Sequence, residues 1–250
     1  MNIYLVDGSR LKRKIIGFTV TVAILLLISV IGITFDETAT GIIDVFNKVE
    51  KNEEMVIIVD AGHGGEDAGA TGVSGVYEKD LNLAISMLIG NNLREKGYTV
   101  VYTRTSDKLL YREEENIKGI RKISDLKNRC KIGDSYNNAI FVSIHMNTYG
   151  SSKYSGLQVY YADNREDSEA LAACIQNNVK KTLQPTNRRQ IKNGKSLYIL
   201  DNCKATTVLV ECGFISNEEE CKKLLEKEYQ NELSFSIVCG IIEYINSISS

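Results

Sequence analysis

The sequence contains very little proline, no tryptophan and only two histidines. With Pro185 as the one proline in 250 residues, long proline-rich linkers are excluded. The net charge is −2, and a cluster of four basic side chains stands at positions 10–14, so the rest of the chain is mildly acidic. A mildly acidic domain lacks the basic surface that nucleic-acid-binding proteins use, and we expect no nucleic-acid partner.

An uncharged apolar stretch dominates the N-terminus. Residues 15–35 form a run of 21 residues without a charge, enough for a helix of roughly 30 Å, the thickness of a bilayer core. Because basic flanks stay in the cytoplasm, we expect a cytoplasmic segment at 1–14, a signal anchor at 15–35, a linker at 36–54 and a folded domain at 55–250 outside the cell membrane. The alternative is a cleaved signal peptide and secretion, although the apolar region of such peptides is usually only about 7–15 residues.

Six cysteines are spread over the folded domain, and none of them forms a CxxC pair. Outside the cytoplasm they would permit disulfides, but the connectivity cannot be deduced from their spacing. Because a domain of this size is stable without crosslinks, we expect buried free thiols.

From Val56 onward, short β-branched runs alternate with stretches of helical periodicity. This alternation predicts one α/β domain whose central sheet is mostly parallel and is flanked by helices. A capping box of Ser216 and Glu219 predicts the start of one helix. The predicted strands are 56–60, 98–103, 139–144, 157–161, 197–200 and 207–212, and the other predicted helices are 79–96, 116–138, 167–183 and 229–248.

The two histidines occupy equivalent places in this pattern. His63 follows the first predicted strand, and His145 follows the strand at 139–144 directly. In open α/β sheets, sites form at the carboxyl ends of the strands. The two imidazoles are therefore candidate metal ligands, with satisfied structural histidines as the alternative.

A catalytic zinc site uses three protein ligands and keeps one position open for water. Glu78 is the candidate for the third ligand, because it begins a helix directly after the glycine-dense segment 62–75. The alternative is that Glu78 is an acid at a helix N-terminus that interacts favourably with the helix dipole. Three other acids compete for the role of ligand, namely Asp60, Glu66 and Asp67.

A metal-activated water also needs a base that accepts its proton. Glu211 ends the apolar run at 207–210, at the same predicted edge of the sheet as the histidines. Placing an acid there is costly unless it is paired or functional. Glu211 is therefore the candidate base, with a structural ion pair to Arg104 or Arg129 as the alternative.

Four ordered sequence blocks carry a family resemblance that extends from about Val56 to Ile245. They are Val59-Asp60-Ala61-Gly62-His63-Gly64-Gly65, Glu78-Lys79-Asp80-Leu81-Asn82-Leu83, Ser143-Ile144-His145-Met146-Asn147, and Leu209-Val210-Glu211-Cys212-Gly213-Phe214-Ile215-Ser216-Asn217. Together these blocks resemble the zinc-dependent N-acetylmuramoyl-L-alanine amidase family.

The resemblance implies zinc as the cofactor, His63, Glu78 and His145 as its ligands, and Glu211 as the catalytic acid and base. It implies hydrolysis of the amide that joins N-acetylmuramic acid to the L-alanine of the peptidoglycan stem peptide. An anchor followed by a bare domain is similar to the spore-cortex, germination-specific members. Peptidoglycan and the membrane are the expected partners, and the question of an accessory or activating protein stays open. A non-catalytic peptidoglycan-binding regulator and a metal-dependent deacetylase are the alternatives.

Overall fold

Six strands form the central sheet in the part of the chain that the structure, a computed structural model, describes: residues 55–111, 113–117, 120–163 and 166–249. The predicted anchor and linker lie outside the described residues. Among the described helices, none is both long and apolar enough to cross a bilayer. The elements are β1 (Val56–Ala61), α1 (Glu78–Glu95), β2 (Thr99–Tyr102), a 3₁₀ turn (Glu113–Glu115), α2 (Arg121–Asp134), β3 (Ala139–Asn147), β4 (Gln158–Tyr161), α3 (Glu166–Thr182), β5 (Lys192–Asn193), α4 (Tyr198–Asn202), β6 (Thr206–Phe214), α5 (Glu218–Leu225) and α6 (Lys227–Ile248).

The sheet is mixed, with the strand order β2-β1-β3-β6-β4-β5. All neighbours pair in parallel except β4 and β6, which are antiparallel. A parallel connection needs a crossover of about a dozen residues or more, usually with a helix. Residues 148–157 contain no helix, so β4 starts at the edge where β3 ends and runs back. The prediction of a mostly parallel sheet thus holds except for this one pairing.

Helices cover both faces of the sheet and enclose two main apolar clusters. The larger cluster packs α1, α3 and α6 against one face, with Ile85, Ile175 and Ile241 among its fully buried side chains. The smaller cluster packs α2 and α4 against the other face, around Ile58 and Phe141. Because β1 is buried on both faces, its sequence is apolar at every position except Asp60.

Two local predictions are wrong. Residues 198–202 form the short helix α4 instead of a strand. Ile199 and Leu200 both pack on the same face of the sheet, which the alternation of a strand would not allow. The N-cap of α5 is Asn217, whose side chain accepts a hydrogen bond from the Glu220 amide at 3.0 Å. Ser216 instead accepts a hydrogen bond from the Tyr149 amide.

The cysteines also depart in part from the expectation of free thiols. Cys130 in α2 and Cys203, the residue after α4, form a disulfide across 73 residues of sequence. The other four are free, with Cys212 and Cys221 buried and Cys174 and Cys239 partly exposed. The bonded pair meets only because α2 and α4 lie side by side on the sheet, and sequence spacing carries no sign of that.

Candidate metal centre

Three predicted ligand side chains meet at the carboxyl edge of the sheet. His63 lies two residues after β1, His145 lies near the end of β3, and Glu78 is the first residue of α1. One ligand atom from each lies within 4.8 Å of the others. Oε1 of Glu78 is 2.9 Å from Nδ1 of His145 and 3.3 Å from Nε2 of His63. The fold therefore brings together two imidazoles and one carboxylate from three separate sequence blocks.

Glycine allows the loop after β1 to wrap closely around these side chains. A Cβ on Gly62 would lie 2.2 Å from Nε2 of His145. Gly69 has a φ of +67°, and a Cβ there would lie 2.6 Å from Oε2 of Glu78. Glycine is the residue that adopts positive φ without strain and permits such an approach. The glycine density noted in the sequence is thus required by the space around the three candidate ligands.

Backbone amides fix the Glu78 carboxylate in place. Its Oε2 accepts a hydrogen bond from the Ala70 amide at 2.9 Å, and its Oε1 accepts one from the Met146 amide at 3.1 Å. Burial raises the pKa of Glu78, but the hydrogen bonds and charges of His145 and His63 lower it well below its usual range. Glu78 is therefore a buried anion facing both histidines.

The competing acids have other partners. Asp60 pairs with Arg129 at 2.6 Å, and Glu66 forms an ion pair with Arg121. Oδ2 of Asp67 lies 2.9 Å from Nδ1 of His63. This contact leaves Nε2 of His63 facing Glu78, and a carboxylate on the far nitrogen is the usual support of a metal-binding histidine. The role of Asp67 as a support behind His63 is one that sequence reasoning missed, although the spacing of four residues could have suggested it.

Glu211 lies on β6 in register with His145 on β3. Neighbouring strands are about 4.8 Å apart, so the two side chains are adjacent at the same edge. Among the described residues, Oε2 of Glu211 is buried and has no hydrogen-bond partner. Burial raises the pKa of Glu211 to about 7, with His145 lowering it and Glu78 raising it. A carboxyl group in this state is suited to accept and release a proton near neutral pH.

Neither arginine considered as an ion-pair partner of Glu211 contacts it in the described part of the chain. Arg129 donates to Asp60, to the Ala61 carbonyl and to the His63 carbonyl, the last two at 2.7 Å. Arg104 donates to the Ala61 and Gly62 carbonyls at 2.9 and 3.0 Å. Both guanidinium groups therefore hold the backbone that carries His63, and the ion-pair alternative for Glu211 has no support in the geometry.

The chemistry of the donor set fits a metal ion. Two imidazole nitrogens and a carboxylate oxygen are a set that catalytic zinc sites use. Burial lowers the pKa of His63, but Asp67 and Glu78 raise it to about 9 through hydrogen bonds and charge. These carboxylates therefore stabilise positive charge where the three donors meet. A cation there would face Glu211, whose free oxygen lies beside His145.

Comparisons with known proteins agree with this geometry. The family model described as N-acetylmuramoyl-L-alanine amidase matches residues 57–243. The germination-specific N-acetylmuramoyl-L-alanine amidase of Bacillus subtilis (strain 168) is 34% identical over 189 residues, which cover 76% of this chain and 79% of the relative.

Two solved structures are also similar. The CwlD amidase from Clostridioides difficile in complex with the GerS lipoprotein is 39% identical with a TM-score of 0.73, covering 78% of this chain and 99% of that one. The N-acetylmuramoyl-L-alanine amidase AmiC2 of Nostoc punctiforme is 30% identical with a TM-score of 0.67, covering 78% of this chain and 98% of that one. The likeness therefore covers the described domain as a whole.

Proposed function

Since this chain belongs to the N-acetylmuramoyl-L-alanine amidase family, we propose that it hydrolyses the amide between N-acetylmuramic acid and L-alanine with zinc held by His63, Glu78 and His145. The observation that carries the proposal is the convergence of these three ligand atoms within 4.8 Å beside Glu211. The germination-specific relative supports a role in the spore cortex.

Each side chain has a distinct part in this reaction. When bound, zinc supplies a water of lowered pKa and polarises the carbonyl of the scissile amide. Glu211 accepts the proton of the attacking water and delivers it to the leaving alanine nitrogen, since its carboxyl has a pKa near neutrality and a free oxygen. Asp67 holds the His63 ring so that Nε2 faces Glu78. Arg129 and Arg104 hold the loop backbone on which His63 stands.

The experiment is a digest of cortex peptidoglycan by the purified protein, with mass spectrometry of the products and measurement of bound metal. We expect a new free amine on L-alanine, loss of cleavage after chelation and its return with zinc. His145→Ala should lose both zinc and cleavage, because two protein ligands hold a catalytic ion only weakly. Release of acetate would support the deacetylase alternative. Binding to peptidoglycan without any cleavage would support the non-catalytic regulator.

We also propose that residues 15–35 anchor the chain and place the domain outside the cell membrane. The basic cluster at 10–14 supports this orientation. The Cys130–Cys203 disulfide supports it independently, because such bonds persist mainly in oxidising compartments. A reporter fused after Ser250 should be active only outside the cytoplasm. If the mature chain is instead found to begin shortly after residue 35, the segment is a cleaved signal peptide and the protein is secreted.

An accessory protein is a further part of the proposal. The CwlD structure is a complex with the GerS lipoprotein, and we propose that an exported lipoprotein binds this chain as well. Adding the exported lipoproteins of the source organism to the purified enzyme should then raise its rate of cleavage. Equal rates with and without them would contradict the proposal.

A further inference from the structure

A basic side chain outside the metal centre is held rigidly at the same edge of the sheet. Nε of Arg189 donates to the Ser155 carbonyl at 2.8 Å, and its Nη1 donates to Oε1 of Gln158 at 3.1 Å. Its guanidinium group lies over the Phe214 ring, 4.3 Å from the centroid. Each contact restricts the side chain from a different direction, so the orientation of the guanidinium plane is fixed.

Arg189 nevertheless keeps most of its capacity to bind an anion. A guanidinium group has five N–H donors, and two are used in the contacts with Ser155 and Gln158. In the described part of the chain, no carboxylate forms an ion pair with Arg189. A fixed guanidinium with free donors is the arrangement that recognises carboxylates through paired hydrogen bonds.

The register of the sheet links this cation to the proposed base through Gln158. Gln158 lies directly opposite Glu211 in the antiparallel pairing of β4 with β6, so their Cβ atoms are about 5 Å apart on one face. The buried Gln158 side chain also donates from Nε2 to the Gln190 carbonyl at 2.7 Å, which turns its Oε1 toward Arg189. Glu211, Gln158 and Arg189 therefore follow one another along the edge of the sheet.

Open space continues from Arg189 away from the metal centre. A cleft of about 570 Å³ has Arg189, Tyr154 and Asn187 in its lining, together with the acids Glu219 and Glu220. It lies where the segment before β4 meets the segment before β5. To reach this cleft, a peptide with its scissile amide at Glu211 has to pass Gln158 along the edge of the sheet.

The chemistry of the substrate supplies an anion near the scissile bond, if the proposed function holds. In the peptidoglycan stem, the residue after L-alanine is a glutamate joined through its side chain, which leaves its α-carboxyl group as a free carboxylate or an amide. An extended chain advances about 3.5 Å per residue, so this group lies roughly 7 Å from the scissile nitrogen. We infer that Arg189 binds the free carboxylate on the stem-peptide residue that follows L-alanine and makes the enzyme prefer stems in which this group is not amidated.

The test uses a matched pair of muramyl peptides that carry either the free carboxylate or the carboxamide at this residue. The zinc-loaded enzyme should cleave the carboxylate form with a kcat/KM roughly 10- to 100-fold higher, the usual range for a charge-assisted pair. Arg189→Gln should lower kcat/KM for the carboxylate form by the same factor and leave the amide form nearly unchanged. Arg189→Lys should recover part of the preference, because the charge remains but the paired donors do not.

Lys181→Gln is the matched control, since it removes one positive charge from an exposed residue that does not line the cleft. It should keep the preference of the native enzyme. Equal cleavage of both peptides by the native enzyme would overturn the inference alone. A uniform loss with both peptides in Arg189→Gln and Arg189→Lys would also overturn it, because Arg189 would then be merely structural. Cleavage of neither peptide at the muramyl–alanine bond would overturn the proposed function, and the inference with it.

Discussion

Replacing Glu211 by glutamine separates chemistry from metal binding. The change keeps nearly the same size and removes the proton acceptor beside His145. Turnover should fall by about 10²–10⁴-fold, the usual contribution of general acid–base catalysis. Zinc should stay bound, because the three ligand atoms of the metal centre are untouched. The assay pairs the rate of stem-peptide release with the zinc content of the same preparation.

The same substitution should also change stability, by an amount that depends on pH. Burial raises the pKa of Glu211 from 4.5 to about 7, so stability is lost as the pH rises from the unfolded-state value, where the unfolded chain releases this proton, to the folded-state value, above which the loss stays constant. Each pKa unit corresponds to about 1.4 kcal/mol, which gives an upper limit of about 3 kcal/mol at pH 8. After chelation of the metal, Glu211→Gln should therefore raise the free energy of unfolding at pH 8 by up to that amount. At pH 4 the two proteins should be nearly equal.

Denaturant unfolding at both pH values checks this prediction. Each kcal/mol gained in the free energy of unfolding corresponds to a rise in melting temperature of about 2–4 °C for a domain of this length. If Glu211 were instead the partner of a buried arginine, glutamine would cost about 3–5 kcal/mol. A destabilised variant that still turned over at the native rate would refute the assignment of Glu211 as the base.

Three further substitutions test the supports of the site. Asp60→Asn removes one of the two carboxylates that pair with the buried Arg129, while Asp125 remains as the other, so unfolding by urea should show a loss of about 1.5–3 kcal/mol, the usual contribution of a hydrogen bond to a charged group; an unchanged midpoint would contradict this. Asp67→Asn should weaken zinc binding about 10- to 100-fold in chelator competition while the fold is retained, because the ring of His63 loses its carboxylate support; equal affinity would refute the role. Cys130→Ser should lower the free energy of unfolding by about 2–4 kcal/mol, and a reducing agent should destabilise the native protein but not this variant.

The meeting of the candidate ligands at one edge of the sheet could be predicted because it depends on features that are local in sequence. The strands at 56–61 and 139–147 begin as apolar runs; His63 lies two residues after the first strand, and His145 lies near the end of the second. Parallel strands bring their carboxyl ends to one edge whatever the details of the loops. Because β1 and β3 pair in parallel, the pairing alone is enough to bring the two imidazoles to the same edge of the sheet.

Elements that depend on tertiary packing could not be predicted in the same way. The run at 197–200 is too short for its periodicity to separate a strand from a helix, and the helix forms because Ile199 and Leu200 both pack on one face of the sheet. The Cys130–Cys203 bond likewise depends on the contact between α2 and α4. In both cases the deciding neighbour is distant in sequence.

The same distinction separates the proposed chemistry from the inferred specificity. Glu211 could be proposed as the base from its place at the end of an apolar run. Gln158 and Arg189 have no such signature, because their relation to Glu211 arises from the antiparallel register of β4. That register follows from the helix-free connection at 148–157, which returns the chain from β3 at the edge of the site. We therefore expect relatives that share the metal ligands to differ in stem-peptide preference wherever this connection, or the segment before β5, differs in length.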